Sequence, residues 1–388
     1  MFCVHAAAAS IKLVPAQCHQ HHNFSSAWKG VNCTATVGRP TSYSVPHQQN
    51  DHATMTGSGV TSEMTLCEKM TFGSFENDKT VYKESFIIRS SQVGVNKTAT
   101  VETIASLLQE TACNRGICLG WLADGFPIPP TMRKHGLTWV TSRVHIEMYK
   151  YPAWGDVVEI ELWSEPDGRI ATRLDSIIRN LSTGEVIGRS TRKLLMMNKD
   201  TRKLQKITRE VRDEILAPCT NSPRYVFAEE NNQSLKKISK LNKPADYSHL
   251  GLKPRRADLD MNNHVNNVTY YSWLLQGIPQ DIVDTHEVEA ITIEYRQECQ
   301  YGDSIDSLVS TEVDIESLNP ISEGRLQFLH LLQFSGTDHE TNRGRTVWRN
   351  LQKQKMQKCT IDDLKKPPSS PSAAPHIFQF FKLKQERR

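Results

Sequence analysis

The sequence lacks long apolar runs and paired cysteines, and each absence narrows the class of protein. No stretch of the 388 residues approaches the roughly eighteen consecutive apolar side chains of a membrane-spanning helix. The nine cysteines are scattered singly, without a Cys-x-x-Cys pair or a Cys/His cluster at metal-ligand spacing. We therefore predict a soluble protein with reduced thiols, no membrane span, no bound metal and no cofactor.

Acidic residues are missing from the start of the chain. Residues 1–50 contain no aspartate or glutamate and only one arginine, Arg39, but many Ala, Ser, Thr, His and Gln residues. This composition is typical of an organelle transit peptide, and the scarcity of arginine favours a plastid over a mitochondrion. The short apolar block from Ala6 to Ala9 argues against a secretory signal. We predict that residues 1–66 are a plastid transit peptide and disordered leader.

The net charge of +4 hides an uneven distribution along the chain. Residues 351–388 carry nine Lys or Arg residues against three acids, whereas residues 51–350 carry 35 basic residues against 40 acidic ones. A net negative middle does not favour a nucleic-acid partner. We predict a folded central region without nucleic-acid binding, followed by a disordered tail over 351–388.

The central region alternates between helical and extended patterns. A strand is predicted near Tyr82–Arg89, then a helix over Thr98–Thr111 that carries Val101, Ile104 and Leu108 on one face and ends at Asn114-Arg115-Gly116. Further strand-like runs follow at Leu137–Met148, Val157–Trp163, Ile170–Arg179 and Val186–Met197. Residues 210–245 are predicted to be a linker. One long apolar helix followed by antiparallel strands indicates an α+β fold in which a sheet wraps around a central helix.

A dense polar cluster precedes a second predicted helix. The stretch PRRADLDMNNHVNNVTYYSWLLQGIP packs acids, amides and a histidine into a few positions, namely Asp258, Asp260, Asn262, Asn263, His264 and Asn266. Apolar spacing predicts a helix over Val265–Leu275 that Pro279 ends. Polar side chains at the amino end of a buried helix suit either the stabilisation of negative charge in a reaction or ordinary helix capping.

The two halves of the central region resemble each other. One offset places Arg89 on Arg256 and Leu107-Leu108-Gln109 on Leu274-Leu275-Gln276, and a second, shorter offset places Gly155-Asp156 on Gly302-Asp303. We infer an internal duplication of strand, long helix and antiparallel strands. The predicted domains are 67–209 and 246–350.

The repeat distinguishes capping from catalysis at the polar cluster. At the first offset, Asp260, Asn262 and His264 lie opposite Val93, Val95 and Lys97. Structural caps should recur in both copies, and these do not. The comparison predicts a catalytic C-terminal domain and an N-terminal domain that shapes a substrate pocket.

Several motifs resemble the plant plastidial acyl-acyl-carrier-protein thioesterases. They include DLDMNNHVNNVTYYSW, ITIEYRQEC and TGEVIGRSTRKLLMMNKDTRKL, and the similarity covers about residues 78–350. KTATVETIASLLQE and GLKPRRADLDMN are more similar to the oleoyl-preferring class than to the saturated-chain class. The resemblance implies a tandem (double) hotdog fold, a homodimer, and hydrolysis of acyl carrier protein thioesters in the chloroplast stroma.

The resemblance also implies five catalytic residues. These are Asp260, Asn262 and His264 in the loop and helix start, and Glu298 and Cys299 in the strand that follows. His264 suits proton transfer near neutral pH, Asn262 suits an oxyanion donor, and Glu298 suits activation of water. Cys299 is the alternative nucleophile, but strand alternation directs the two neighbouring side chains to opposite faces. We predict water activated by Glu298, with Cys299 packed.

The implied substrate is a long-chain acyl group carried by acyl carrier protein. Val101, Ile104 and Leu108 are expected to line the acyl pocket, and Lys199 to Lys206 belong to the basic segments expected to meet the acidic carrier protein. Ser176 and Leu174 depart from the family pattern and touch the packing near that pocket, so the resemblance implies the reaction but does not fix the chain-length preference. A hotdog 3-hydroxyacyl dehydratase and a non-catalytic acyl-binding protein are the alternative functions.

Overall fold

The computed structural model describes residues 73–76, 80–122, 125–168, 171–219, 224–228, 234, 236–312 and 325–351. The predicted transit peptide at 1–66 lies outside these residues, and so does the predicted tail after residue 351. Both stay predictions.

The N-terminal half is an antiparallel sheet packed on one long helix. Its strands are β1 (Gly73–Phe75), β2 (Val81–Ile87), β3 (Leu137–Met148), β4 (Val157–Asp167), β5 (Ala171–Asn180) and β6 (Val186–Asn198). Its helices are α1 (Val101–Cys118) and the short α2 (Pro130–Lys134). Thr100 caps α1 by accepting a hydrogen bond from the Thr103 N–H. The buried face of α1 is the one that its apolar spacing predicts.

Helix α1 continues past the point where the sequence predicted its end. Arg115 is buried, and its guanidinium donates to the Ser164 hydroxyl at 2.9 Å and to the Pro218 carbonyl at 3.0 Å. Gly116 leaves room for Pro127, because a Cβ at this position would lie 2.7 Å from that ring. The residues that looked like a helix stop therefore continue the helix, since tertiary contacts outweigh the weak helix propensity of glycine.

The C-terminal half repeats the architecture with a shorter helix. Its elements are β7 (Tyr247–Leu252), α4 (Thr269–Leu275), α5 (Gln280–Thr285), β8 (His286–Tyr295), β9 (Ile305–Thr311), β10 (Arg325–Phe334) and β11 (Glu340–Asn350). The region predicted to be a linker contains helix α3 (Arg209–Leu216). Helix α4 begins after Val265 because the Asn266 side chain accepts from the Val268 N–H in a turn. It ends before Pro279, where Gly277 packs against Val309.

The two halves share one continuous sheet. Its strand order is β1-β2-β4-β5-β6-β3-β8-β11-β10-β9-β7, so β3 of the first half pairs antiparallel with β8 of the second. Ile146 lies opposite Ile291 in this pair, and each is 1% exposed. Apolar residues of both helices form one core cluster with these strands. The predicted α+β class, with an antiparallel sheet around a helix in each half, is the observed architecture.

The duplication is present, but the loops before the two helices align one position away from the predicted register. The Ala99 N–H donates to the Pro152 carbonyl, and the Val265 N–H donates to the Cys299 carbonyl in the same way. Ala99 therefore corresponds to Val265, and Pro152 corresponds to Cys299. The second of these pairs agrees with the offset predicted from Gly155-Asp156 and Gly302-Asp303.

Backbone conformation gives the same register for the loops. Lys97 and Asn263 both have a φ of 62°, so they are equivalent residues of one kind of turn. The predicted offset had instead put Lys97 opposite His264. The predicted offset was therefore wrong by one position in these loops.

Candidate active site

Asp260 organises the loop that carries the polar cluster. Its Oδ1 accepts hydrogen bonds from the N–H groups of Asn262 at 2.8 Å and His264 at 3.1 Å. Its own N–H donates to the His264 carbonyl at 2.7 Å. Asn263 tolerates the left-handed φ of 62° that this tight turn needs, since its short polar side chain is among the few that adopt it readily. The carboxylate thus holds the backbone at Asn262 and His264 in one geometry.

The cluster lies in the loop before helix α4 and not at the start of the helix. Helix α4 begins only at Thr269, beyond His264, and has seven residues. The predicted helix over Val265–Leu275 was too long at its amino end. The support that a helix dipole would give to an oxyanion is therefore not available at His264. The Asn262 side chain is exposed at the surface of this loop.

His264 and Glu298 come together from two separate segments. His264 Nε2 lies 3.4 Å from Glu298 Oε1, and the two side chains are 26% and 38% exposed. An isolated bridge between His264 and Gln300 holds the two backbones side by side. The pair therefore sits at the surface, where a substrate and water can reach it, within the distance of an ion pair.

The sequence placed Glu298 and Cys299 on a strand, and this was wrong. Strand β8 ends at Tyr295, and the N–H groups of Arg296 and Gln297 both donate to the Thr341 carbonyl, at 2.9 Å and 3.1 Å. Such a bulge ends regular pairing and re-aims the residues after it. The predicted opposition of the two side chains holds nevertheless, because Glu298 is exposed and Cys299 is 0% exposed.

Cys299 is packed into the core beneath the loop. Its N–H donates to the Tyr270 hydroxyl at 2.9 Å, and burial raises the pKa of its thiol to about 11. A thiol needs to ionise to act as a nucleophile, and burial in an apolar setting opposes ionisation. Cys299 is therefore adjacent in sequence to the surface pair but chemically separated from it.

The N-terminal half reaches the same loop. The Gln109 amide on α1 donates to Asn266 Oδ1 at 3.4 Å, and the Asn267 amide donates to the Thr141 hydroxyl on β3 at 3.4 Å. Arg202, in the turn after β6, forms an ion pair with Glu298. Sequence reasoning missed Arg202 as a site residue. The only available signal was its position in the NKDTRKL end of a family-like motif.

The equivalent loop in the N-terminal half has lost these ionisable groups. The register that pairs Ala99 with Val265 puts Gly94, Asn96 and Thr98 at the positions of Asp260, Asn262 and His264. Tyr151 takes the position of Glu298, but it is buried and donates to the Val288 carbonyl at 2.8 Å. Asparagine therefore recurs at one of the four positions, and the acid, histidine and glutamate do not.

The three residues predicted to contact the acyl chain lie on the buried face of α1. Val101, Ile104 and Leu108 are 5%, 1% and 5% exposed, within the core cluster that joins both halves. Ser176 faces Leu162 on one side and Ser190 on the other, and both serines are buried. The predicted pocket residues are therefore enclosed. Ser176, which departs from the family pattern, places a small polar side chain on β5 of the N-terminal sheet.

The described residues contain neither a cluster suited to a metal ion nor a helix suited to crossing a membrane. Among them, no group of three or more His, Cys, Asp or Glu side chains is arranged to hold a metal ion. None of the helices in that part of the chain is long and apolar enough to cross a bilayer.

The chain matches two families of known domains. Residues 79–215 match the acyl-ACP thioesterase N-terminal domain, and residues 241–350 match the acyl-ACP thioesterase C-terminal domain. The predicted boundaries at 67–209 and 246–350, and the role of each domain, stay predictions.

Curated relatives and solved structures agree with this match. The chain is 56% identical over 299 residues to an oleoyl-acyl carrier protein thioesterase 1, chloroplastic, of Arabidopsis thaliana, covering 76% of this chain and 83% of the relative. It is 40% identical to a palmitoyl-acyl carrier protein thioesterase, chloroplastic, of the same plant, covering 73% of this chain and 67% of the relative. A 12:0-ACP thioesterase from Umbellularia californica superposes with a TM-score of 0.63 at 36% identity, covering 70% of this chain and 94% of that structure.

More distant structures share the fold. A putative oleoyl thioesterase from Lactobacillus plantarum superposes with a TM-score of 0.58 at 20% identity, covering 70% of this chain and 97% of that structure. The tandem hotdog architecture and the family resemblance noted in the sequence motifs are both confirmed. The chain belongs to the acyl-ACP thioesterase family.

Proposed function

We propose that the protein hydrolyses long-chain acyl-acyl carrier protein, with oleoyl as the acyl group, at the cluster of Asp260, Asn262, His264 and Glu298. Water adds to the thioester carbonyl, the carbon–sulfur bond breaks, and the products are a free fatty acid and the carrier thiol. The oleoyl preference rests on higher identity to relatives named for oleoyl than to one named for palmitoyl. Those relatives are named chloroplastic, which supports a reaction in the plastid stroma.

The approach of His264 to Glu298 is the observation that carries this proposal. The two side chains meet at 3.4 Å on the surface, although they belong to different segments. A carboxylate beside an imidazole suits proton transfer near neutral pH. The first half lacks both groups at the equivalent positions, so they do not belong to the shared fold.

Each residue then has a distinct role. Glu298 takes a proton from the attacking water, and His264 carries a proton to the leaving sulfur. The exposed amide of Asn262 donates to the carbonyl oxygen as negative charge develops there. Asp260 holds the loop through the N–H groups of Asn262 and His264. No step requires a cofactor.

Burial of Cys299 favours water over an acyl-enzyme. The thiol is 0% exposed, and its raised pKa of about 11 leaves almost no thiolate near neutral pH. A nucleophilic cysteine also has to reach the carbonyl, and Glu298 is the neighbour that faces His264. Trapping an acyl group on the Cys299 sulfur would overturn this choice.

The acyl chain is proposed to lie along α1, where Val101, Ile104 and Leu108 are buried. Exchange of the N-terminal half with that of a saturated-chain relative should then change chain-length preference. Unchanged preference would remove the first half from substrate selection. The proposed homodimer is tested separately, by light scattering of the full chain.

The carrier protein is acidic, so a basic surface near the site should guide its approach. Lys199, Lys203 and Lys206 are exposed on the segment that also carries Arg202. We expect the KM for acyl carrier protein substrates to rise with salt, because screening weakens such attraction. A KM that does not change with salt would argue against electrostatic docking there.

One assay separates the proposed function from its alternatives. The protein is incubated with oleoyl and palmitoyl carrier protein, and free fatty acid and free thiol are measured together. A thioesterase releases both in equal amounts, whereas a dehydratase or a binding module releases neither. The matched variants are Glu298→Gln and His264→Ala, and each should lose at least about a hundredfold in kcat. Release by both variants at the unmodified rate would refute the assigned site.

A further inference from the structure

Arg202 belongs to the N-terminal half but contacts the carboxylate proposed to activate water in the C-terminal half. Its Nη2 forms an ion pair with Glu298 Oε1, the same oxygen that His264 Nε2 approaches at 3.4 Å. Two cationic or hydrogen-bonding side chains from opposite halves therefore converge on one oxygen atom.

Several hydrogen bonds fix the turn that carries Arg202. Asn198 Oδ1 accepts from the N–H groups of Asp200 at 3.1 Å and Thr201 at 2.8 Å, and the Arg202 N–H donates to the Asn198 carbonyl at 3.0 Å. The Lys199 N–H donates to the Gly136 carbonyl at 2.8 Å, which fastens the turn to the start of β3. The position of Arg202 is thus set by backbone contacts and not only by its own side chain.

Arg202 adopts a backbone conformation that costs stability. Its φ is 56°, in the left-handed region that a long side chain occupies at a cost of about 1 kcal/mol or more. Its ion pair joins two partly exposed side chains, 47% and 38%, and such pairs contribute at most about 1 kcal/mol. The turn itself sets this φ, and the ion pair adds little stability, so the consequence of the arrangement is the placement of the guanidinium against Glu298.

We propose that Arg202 is a positioning residue that holds Glu298 with Oε2 directed at the attacking water. This inference rests on the role of Glu298 in the proposed function. The guanidinium fixes Oε1, because a planar group that is always charged holds a carboxylate in a defined orientation. His264 is then left to serve the leaving sulfur. The N-terminal half therefore contributes directly to the chemistry.

The groups around Glu298 limit which other side chain could hold its carboxylate in place. Arg202 faces it from the turn after β6, and His264 faces it from the loop before α4. On the buried side lie Tyr270 and Cys299, whose pKa values burial raises, so both are neutral near pH 7. Arg202 is thus the one permanent charge among these neighbours.

The test compares Arg202→Gln, Arg202→Lys and the control Arg212→Gln in the full chain, with oleoyl carrier protein as substrate. Arg212 is exposed on α3, outside the basic segment proposed to meet the carrier protein, and the control loses the same charge. Arg202→Gln should lower kcat roughly three- to tenfold with little change in KM. Arg202→Lys should restore most of the turnover, and Arg212→Gln should keep both kcat and KM.

Two further measurements separate the possible failures. In a Glu298→Gln background, Arg202→Gln should cause no additional loss of the residual turnover, because Arg202 acts through Glu298. An additive loss, or a raised KM with unchanged kcat, would make Arg202 a contact for the carrier protein and overturn the inference.

If Glu298→Gln is inactive while Arg202→Gln matches the unmodified enzyme, only the Arg202 inference fails. If Glu298→Gln keeps full activity, the proposed role of Glu298 fails first. Equal melting temperatures confirm that each variant is folded.

Discussion

The two loops before α1 and α4 have the same backbone and different chemistry. In the first, the Gly94 N–H donates to the Thr98 carbonyl and the Lys97 N–H to the Gly94 carbonyl. In the second, Asp260 donates to His264 and Asn263 to Asp260 in the same way. The shared turn shows that none of the second loop's ionisable side chains is needed to form it.

Capping side chains recur at equivalent positions in both loops, so these side chains belong to the structure that the two halves share. Gln92 Oε1 accepts from the Arg89 N–H, and Asp258 Oδ2 accepts from the Arg255 N–H at the equivalent position. Arg255 also lowers the pKa of Asp258 through this hydrogen-bonded ion pair. Asp258 is therefore a capping residue. Asp260 and His264 have no such counterpart, and they are the residues of this loop that we propose for function.

The largest expected effect comes from giving the second loop a residue of the first. His264→Thr introduces the side chain found at Thr98, which the shared backbone accommodates. We expect kcat to fall by about 10²–10⁴ because general acid–base catalysis is lost, with the melting temperature nearly unchanged. Activity near the unmodified level would show that the proton carrier lies elsewhere.

The recurring asparagine provides a matched pair of variants. Asn262→Ala should lower kcat by about 10²–10³ if its amide stabilises the oxyanion. Asn96→Ala removes the same exposed amide from the first loop and should leave turnover unchanged. Equal effects of the two variants on kcat would mean that this asparagine only shapes the turn.

The halves also differ in the solvation of a carboxyl group. Glu84 on β2 is 4% exposed, and burial raises its pKa from 4.5 to about 7, whereas Glu298 is exposed. A raised pKa means that the folded state holds the proton more tightly, so stability falls as pH rises from about 4.5 to 7. Glu84→Gln should therefore stabilise the protein at pH 8, on the order of 2–3 kcal/mol, but not at pH 4. Urea unfolding at both pH values measures this, with Glu298→Gln as the exposed control.

A smaller effect is expected beneath the second loop. Cys299→Ala removes a buried sulfur atom and should cost about 1 kcal/mol of unfolding free energy. Turnover should stay within about twofold, since the thiol takes no part in the proposed water mechanism. Chemical denaturation and steady-state kinetics on the same preparation test both statements, and a large loss of kcat would favour the acyl-enzyme.

The smallest effect concerns the two residues with a φ of 62°. Lys97→Gly should relieve strain and raise the unfolding free energy by less than about 1 kcal/mol. Asn263→Gly should change it less, because asparagine already tolerates this conformation. A greater gain at Asn263 than at Lys97, measured by urea unfolding, would contradict the explanation.

Element type was easier to predict from the sequence than element ends or registers. Strand β3 occupies the predicted Leu137–Met148, because alternation over twelve residues leaves little freedom. Helix α1 continued past Gly116, and α4 started later than predicted, because buried contacts and side-chain turns decide such ends. The loop register was displaced by one position, since an alignment based on two short matches has no hydrogen bonds to check it.

The sequence by itself determined the duplicated α+β architecture and the family. It also supplied the candidate site residues Asp260, Asn262, His264, Glu298 and Cys299. Periodicity and motif content are local properties that survive without coordinates. Only the tertiary structure decided that Glu298 faces His264 while Cys299 faces the core, because a bulge after β8 directs them. It alone brought Arg202 to Glu298, since pairing of β3 with β8 places the turn after β6 beside a loop far along the chain.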